Sequence, residues 1–339
     1  KTSNFFTVGI TGSSGLLGSS LIDELSKTDT TVYGKSVRIV RLIRANELGT
    51  DTLSAEPVTS LPWNPSSTTP ENVINPEALD QMDAIVHLAG ENIGTGQGPL
   101  GFLGIRPWTD KKKDEIMNSR VGPTEALAKA IAASKTPTSF LSASGVGVYG
   151  NKFFAGNQLP AADETMDVSA VGGFLAEVSR RWEAASEIAG ENARIVNCRM
   201  GVVLSKKGGA LQKLFPVFFL GGGGDVGSGK QYFTFISARD AARALVHTLS
   251  TPSLEGPVNF CAPEPCTNSE FTKALGKVLS RPTIIPLPSF AVSLLFGEMG
   301  EETLLGGVRA IPGKLAKSGF EFQHPNIESA CQSAVDERI

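Results

Sequence analysis

Three glycines spaced by three, Gly12, Gly15 and Gly18, follow directly on the apolar run Phe5-Phe6-Thr7-Val8-Gly9-Ile10 and open a helical pattern. Such a run is a buried strand that breaks into a tight turn. The segment Gly12-Ser13-Ser14-Gly15-Leu16-Leu17-Gly18 then supplies a turn free of side chains, a backbone able to approach phosphate, and a close strand–helix contact. The chemistry predicted is the cradling of a dinucleotide pyrophosphate at a helix N-terminus. The next strand ends Val40-Arg41-Leu42-Ile43-Arg44-Ala45. A carboxylate about twenty positions after the glycines ordinarily reads a free ribose 2′-hydroxyl. Here none is present, and the Arg44 guanidinium suits a 2′-phosphate, which it grips bidentately. NADP(H) is therefore expected over NAD. Arg38 and Arg41 compete for the role, and a solvated strand terminus is the simpler reading of Arg44.

Further residues with chemical potential follow in order. Leu88-Ala89-Gly90 is expected along the cofactor edge, where a glycine lets backbone pass close to a dinucleotide. His87, inside the preceding apolar strand, reads as a satisfied core residue. Arg199 and Gly201, at the end of a later strand, invite a cofactor-side role or simple strand termination. The stretch 94–104 carries five glycines and reads as a lid, a docking loop or a surface insertion. Arg106, Lys230 and Gln231 are candidates to grip an anionic substrate such as a sugar nucleotide, or the cofactor's own phosphates.

These residues need a frame. Apolar, β-branched runs at 5–11, 37–43, 84–88, 139–142 and 195–203 alternate with helical patterns at 16–26, 112–134 and 174–188. Alternation of this kind predicts an α/β fold, a Rossmann-type doubly wound parallel sheet. After Leu204 the texture changes to glycine-rich loops and helices, so residues 1–205 are expected to form the dinucleotide-binding domain, completed by about 236–258. Residues 206–339 form a smaller, mostly helical lobe covering the cofactor. Ser237-Ala238-Arg239-Asp240 and Thr267-Asn268-Ser269-Glu270 read as capping boxes opening two of its helices.

Composition narrows the class. With 339 residues and a net charge of −3, without long charge runs, the chain offers no basic face for nucleic acid. The four cysteines lack the close pairing of a zinc ribbon and are expected as reduced thiols, with no metal site. The apolar stretches at 214–220 and 290–296 fall short of the ~20 residues of a membrane span, which leaves peripheral membrane or protein-complex association open. The chain begins at Lys1 rather than at a methionine, as removal of a targeting peptide or trimming would leave it.

The motifs together resemble the atypical extended short-chain dehydrogenase/reductases of the epimerase-like kind, whose bacterial, mitochondrial and plastid members end in a small C-terminal domain of unknown function. The resemblance covers nearly the whole chain. It rests on Thr11-Gly12-x-x-Gly15-x-x-Gly18, His87-Leu88-Ala89-Gly90-Glu91-Asn92-Ile93, Arg106-Pro107-Trp108, Ser119-Arg120, Gly201-Val202-Val203-Leu204, Gly227-Ser228-Gly229-Lys230-Gln231 and Ile285-Pro286-Leu287-Pro288. It implies an NADP(H)-binding oxidoreductase or epimerase acting on a small, perhaps nucleotide-linked substrate. Some plastid members carry an older label as cell-division inhibitors, so it equally admits a catalytically degenerate sensor or assembly subunit. The expected setting is an organelle, the chloroplast stroma first, with the cytoplasm as alternative.

A working member would resemble a Ser, Tyr and Lys arrangement, with tyrosine and lysine four apart on a helix. Ser144 matches the serine and flanks the nicotinamide in this reading. The helix that should carry the other two has Gly173 and Glu177 at those places. Losing a positioned acid–base costs roughly 10²–10⁴-fold in such a step. Candidate substitutes are Tyr149, with Lys152 beyond it, and Glu177, provided its helix faces the cleft and burial raises its pKa. A cleft plugged by Phe102, Phe215 or Phe218 would favour the scaffold.

Overall fold

The apolar runs pair side by side as parallel strands because the helices between them carry the chain back across the sheet each time. The structure, a computed structural model, describes residues 4–45, 57–94, 107–136, 138–150 and 161–337. The strands are β1 (Phe5–Thr11), β2 (Thr31–Val32), β3 (Lys35–Arg44), β4 (Val58–Trp63), β5 (Ala84–His87), β6 (Thr138–Gly145), β7 (Ala193–Met200), β8 (Val202–Leu204), β9 (Tyr232–Phe233), β10 (Phe235–Ser237), β11 (Gly256–Phe260) and β12 (Cys266–Thr267). The helices are α1 (Leu16–Leu25), α2 (Pro76–Leu79), α3 (Asp110–Ala133), α4 (Phe174–Ser186), α5 (Gly209–Phe219), α6 (Ala238–Ser250), α7 (Asn268–Leu279), α8 (Ser289–Gly300), α9 (Gly313–Lys317) and α10 (Ile327–Asp336).

The main sheet runs β11-β7-β6-β5-β1-β3. β2 pairs antiparallel with the start of β3 and β4 runs parallel along its remainder. The order reverses between β1 and β5, which is where ligands lie in doubly wound sheets. One face buries α1 and α6 against Val8, Ile10 and Ile39 through Leu21, Leu25, Leu245 and Leu249. The other buries α2 and α3 against Val40, Leu42, Leu61, Ile85 and Phe140. The α/β, Rossmann-type expectation holds, with a helical C-terminal region.

Two local expectations need correction. The run 195–203 is not one strand: it breaks at Gly201, whose N–H bonds to Phe260 O, and β8 continues beside β10 in a separate two-stranded sheet. A Cβ on Gly201 would stand 3.1 Å from Thr234 O, so this crossing of backbones accounts for the glycine. At α6, Ser237 Oγ accepts from Asp240 N at 3.0 Å, but Asp240 does not return the bond. Its carboxylate instead takes the N–H groups of Gln323 and His324 at 3.0 and 2.7 Å, tying the C-terminal segment to α6. The Thr267–Glu270 box at α7 is complete.

Past the sheet, α5, α7 and α10 share a core built on Phe218, Phe235, Phe271 and Leu275. Further on, α8 packs through Val292, Phe296 and Met299 onto Trp108, Ile116 of α3 and Val178 of α4. The C-terminal region is thereby fastened to the helices flanking β6.

Candidate active site

The glycine turn is built as its spacing demands. Gly12 has φ 65°, and a Cβ there would stand 2.8 Å from the Leu88 carbonyl. At Gly18 a Cβ would come within 2.2 Å of Gly12 O, so α1 can lie on β1 only with glycine at that position. At Gly15 the single near atom, Gly12 O, is 3.3 Å away. No side chain caps α1 and no acid occupies its first turn, so its positive end is open to an anion. These features fit a dinucleotide pyrophosphate. Leu16 packs beneath Gly208, and Leu17 and Leu88 pack against the core.

Beside the turn lies a cavity of about 620 Å³, with Gly12, Ser13 and Ser14 on one side and Arg41, Arg44 and Ser60 on the other. Trp63 and Ala89 contribute to its wall, and Asp23 of α1 is the one carboxylate among the described residues that line it. Two guanidiniums thus face one cavity. Arg38 does not line it: its guanidinium sits 4.7 Å from the Phe5 ring centroid, with a buried Nε that has no partner among the described residues.

His87 is fully buried behind this wall. Thr11 Oγ1 accepts from Leu88 N at 3.1 Å and Ala89 N at 3.3 Å, so its single hydrogen goes to His87 Nδ1 at 2.7 Å. The ring proton then sits on Nε2, which finds no partner among the described residues. The core reading holds, but the histidine is satisfied at one nitrogen only. Burial, helped by the Arg44 charge, pushes its pKa down to about 3.

Past Gly90 the chain is pinned from several sides. Ser119 Oγ accepts from Glu91 N at 3.1 Å, and Arg120 Nη2 donates to Glu91 O at 2.8 Å. Trp108 Nε1 donates to Ile93 O at 2.8 Å and Lys213 Nζ to Gly94 O at 2.7 Å. Burial lowers the Arg120 pKa to about 10. A Cβ on Gly90 would meet Arg120 Cζ at an ordinary 3.5 Å, so no neighbour among the described residues demands this glycine.

At the carboxyl end of β6, register sets Ser144 beside Arg199 of β7, and Arg199 beside Asn259 of β11. α4 closes over this row. Ser144 Oγ donates to Glu183 Oε1 at 2.7 Å, and Arg199 grips both Glu183 oxygens, Nε to Oε1 and Nη2 to Oε2, each at 2.8 Å. Arg199 Nη1 also donates to the Tyr149 hydroxyl at 3.0 Å, which donates to Asn259 Oδ1 at 2.8 Å.

Three expectations change here. Tyr149 is buried with its hydroxyl held between Arg199 and Asn259, and burial pushes its phenol up to about 12, which disfavours ionisation. Arg199 is consumed by Glu183 and Tyr149, to which its Nε, Nη1 and Nη2 all donate. Glu177 fails the condition set for a base: it is surface-exposed, and bonds from Arg180 and Arg181 hold its carboxyl below the usual range. The α4 N-terminus, where the missing pair belongs, is instead capped from the C-terminal region. Glu302 accepts from Phe174 N at 2.6 Å and Leu175 N at 2.9 Å.

Gln231 is buried and donates to Val226 O and Leu304 O, both at 2.9 Å, so it staples a loop rather than gripping a ligand. Lys230 is exposed. Phe218 lies in the core of α5 and α7, and Phe215 stacks on Phe219, so neither lines the cavity. Lys152, Phe102, Arg106 and the stretch 95–104 fall outside the described residues. The four cysteines are buried and unpaired. Among the described residues no acidic, histidine or cysteine group could hold a metal, and no helix is long and apolar enough to cross a membrane. Sequence reasoning missed Glu183, Asn259 and Glu302, whose partners lie 39, 110 and 128 residues away, beyond any local signal.

Comparison with known proteins agrees with this geometry. The model of the NAD dependent epimerase/dehydratase family matches residues 8–260, and a domain of unknown function, DUF1731, matches residues 287–334. An epimerase family protein of Mycobacterium bovis is 41% identical over 326 residues, 95% of each chain. The chloroplastic SDR39U1 homolog of Arabidopsis thaliana is 31% identical over 97% of this chain and 86% of its own. The crystal structure of human epimerase family protein SDR39U1 with NADPH superposes with a TM-score of 0.77 at 30% identity, covering 98% of this chain and all of that one.

Proposed function

Since the chain belongs to the NAD dependent epimerase/dehydratase family, we propose that it is an NADP(H)-dependent oxidoreductase or epimerase of the short-chain dehydrogenase/reductase kind, acting on a small, nucleotide-linked substrate. The observation that carries the cofactor is the cavity where Arg41 and Arg44 stand together at the glycine turn. In this reading Gly12, Ser13, Ser14, Gly15, Leu16, Leu17 and Gly18 hold the pyrophosphate through backbone and helix N-terminus. Arg44, with Arg41 and Ser60, takes the 2′-phosphate. Leu88, Ala89, Gly90 and Ser144 border the nicotinamide, and the C-terminal region closes the pocket. The NADPH in the human relative supports the same choice of cofactor. When bound, NADP(H) supplies or accepts the hydride.

A second reading is favoured by Gly173 and Glu177 standing where tyrosine and lysine would be. In it the protein binds NADP(H) as a sensor or assembly subunit without turnover. Single-turnover oxidation of bound NADPH against carbonyl and sugar-nucleotide compounds separates the two. Substrate-dependent oxidation abolished by Ser144→Ala establishes the enzyme; tight NADPH binding without oxidation across the panel establishes the subunit. For the compartment, the bacterial relative supports the cytoplasm alongside the stroma suggested by the chloroplastic one, and cell fractionation decides.

A further inference from the structure

The polar row beneath α4 has one direction, fixed at its far end by backbone. Ile311 O is a carbonyl and can only accept, and it lies 2.9 Å from Asn259 Nδ2, so Asn259 presents Oδ1 to Tyr149. Tyr149 has one hydroxyl hydrogen and gives it to that oxygen. Toward Arg199 Nη1, at 3.0 Å, it therefore accepts. The guanidinium carries donors alone, and its fork covers both oxygens of Glu183, which as an ion-paired carboxylate offers acceptors alone. Ser144, 2.7 Å from Glu183 Oε1, has no choice but to donate there. Its one hydrogen is thus spent, and no described residue donates to its oxygen.

We infer that Ser144 meets the substrate as a hydrogen-bond acceptor, so that the group lodged against it is a donor, an alcohol hydroxyl rather than a carbonyl. Glu183, Arg199 and Tyr149 are positioning residues that impose this polarity from behind. The inference rests on the reading above that places the substrate at the carboxyl end of β6. It deepens that reading by naming the redox form of substrate that the site holds best. A serine free to rotate would serve either form; this one is held to one form by a carboxylate whose own partner cannot accept.

Neutron diffraction from NADPH-loaded crystals grown in D₂O reads the polarity directly. Deuterium on Ser144 Oγ directed at Glu183 Oε1 is expected. Deuterium directed away from Glu183, or carried by Glu183, overturns the inference. Titrating NADP⁺- and NADPH-loaded protein with the pairs cyclohexanol/cyclohexanone and glycerol/dihydroxyacetone reads the consequence. The alcohols are expected to bind about tenfold more tightly than their ketones, as one net hydrogen bond allows, and Ser144→Ala removes the difference. Equal binding, a ketone preference, or no binding by any member counts against it. The double variant Glu183→Leu with Arg199→Met removes the buried pair together, which spares the fold the unpaired charge that either single change would leave. It is expected to abolish the alcohol preference while NADPH still binds. Failure of NADPH to bind the wild-type protein would sink the cofactor reading instead, and the deuterium position remains readable in the unloaded protein.

Discussion

One face of the main sheet is built in two ways. Over β3, β4 and β5 it is apolar, with Val40, Leu42, Leu61, Trp63 and Ile85 buried beneath α2 and α3. Over β6, β7 and β11, beneath α4, it carries Ser144, Arg199, Asn197 and Asn259, all buried and all hydrogen-bonded. The first half rests mainly on hydrophobic burial; apart from the buried Thr11–His87 pair, its charged side chains Arg41 and Arg44 stand at the cavity rim. The second half places charge and hydroxyls inside, where each must find a partner or cost stability. The difference bears on the proposed function: the apolar half carries the glycine turn and the arginine-lined cavity proposed for the cofactor, and the polar half carries Ser144, the residue proposed to meet a substrate.

The contrast is broken most severely by Arg199→Ala. It leaves Glu183 buried without its partner and is expected to cost about 3–5 kcal/mol of folding stability, measured by urea denaturation. A loss under 1 kcal/mol would show that the network adds nothing to the fold.

His87 gives the apolar half its own large effect. Its folded pKa of about 3 lies below its ordinary 6.5, so the unfolded chain binds the extra proton between those values. Stability is fully present above pH 6.5 and falls with pH at about 1.4 kcal/mol per unit, or about 2 kcal/mol by pH 5. His247 and His324, whose pKa values burial also lowers, act in the same window. The difference between wild type and His87→Leu isolates the term, and curves that stay parallel from pH 7 to 5 would refute it.

The smallest expected effect sharpens the boundary between the halves. Glu302→Ala uncaps α4 and should cost about 1 kcal/mol, the ordinary worth of a helix cap. Hydrogen exchange should quicken at Phe174 and Leu175 while the β1 and β5 amides keep their protection. Uniform loss across the sheet would mean that Glu302 contributes to the fold as a whole.

Much of the apolar half was legible in the sequence because its signals are local. Gly18 answers to Gly12 within the same turn, Gly12 is marked by the glycine spacing although the backbone that demands it, at Leu88, comes from the end of β5, and Arg44 follows from the end of its own strand. Arg41 was visible only as a competitor, since which side of β3 faces the cavity depends on β4, a strand the hydrophobic pattern did not disclose. The polar half resisted for a different reason. Ser144 could be placed by motif, yet its behaviour is decided by Glu183 on a helix 39 residues on, and Tyr149 reads as a candidate acid until Asn259 is brought to it by the last strand of the sheet. Glu177, the acid the sequence offered, sits within reach of two arginines on its own helix, a spacing of three and four that already favours an exposed ion pair.

Paired titrations with NADPH and NADH test the central claim most directly, run on wild type, Arg44→Ala and the Glu183→Leu/Arg199→Met double variant. The account predicts that wild type prefers NADPH and that Arg44→Ala weakens NADPH by roughly 10–100-fold, the worth of a lost charged hydrogen bond, with NADH little changed. The double variant should hold NADPH as wild type does. Wild-type protein that binds NADH as tightly as NADPH, or an Arg44→Ala variant that keeps full NADPH affinity, would contradict it.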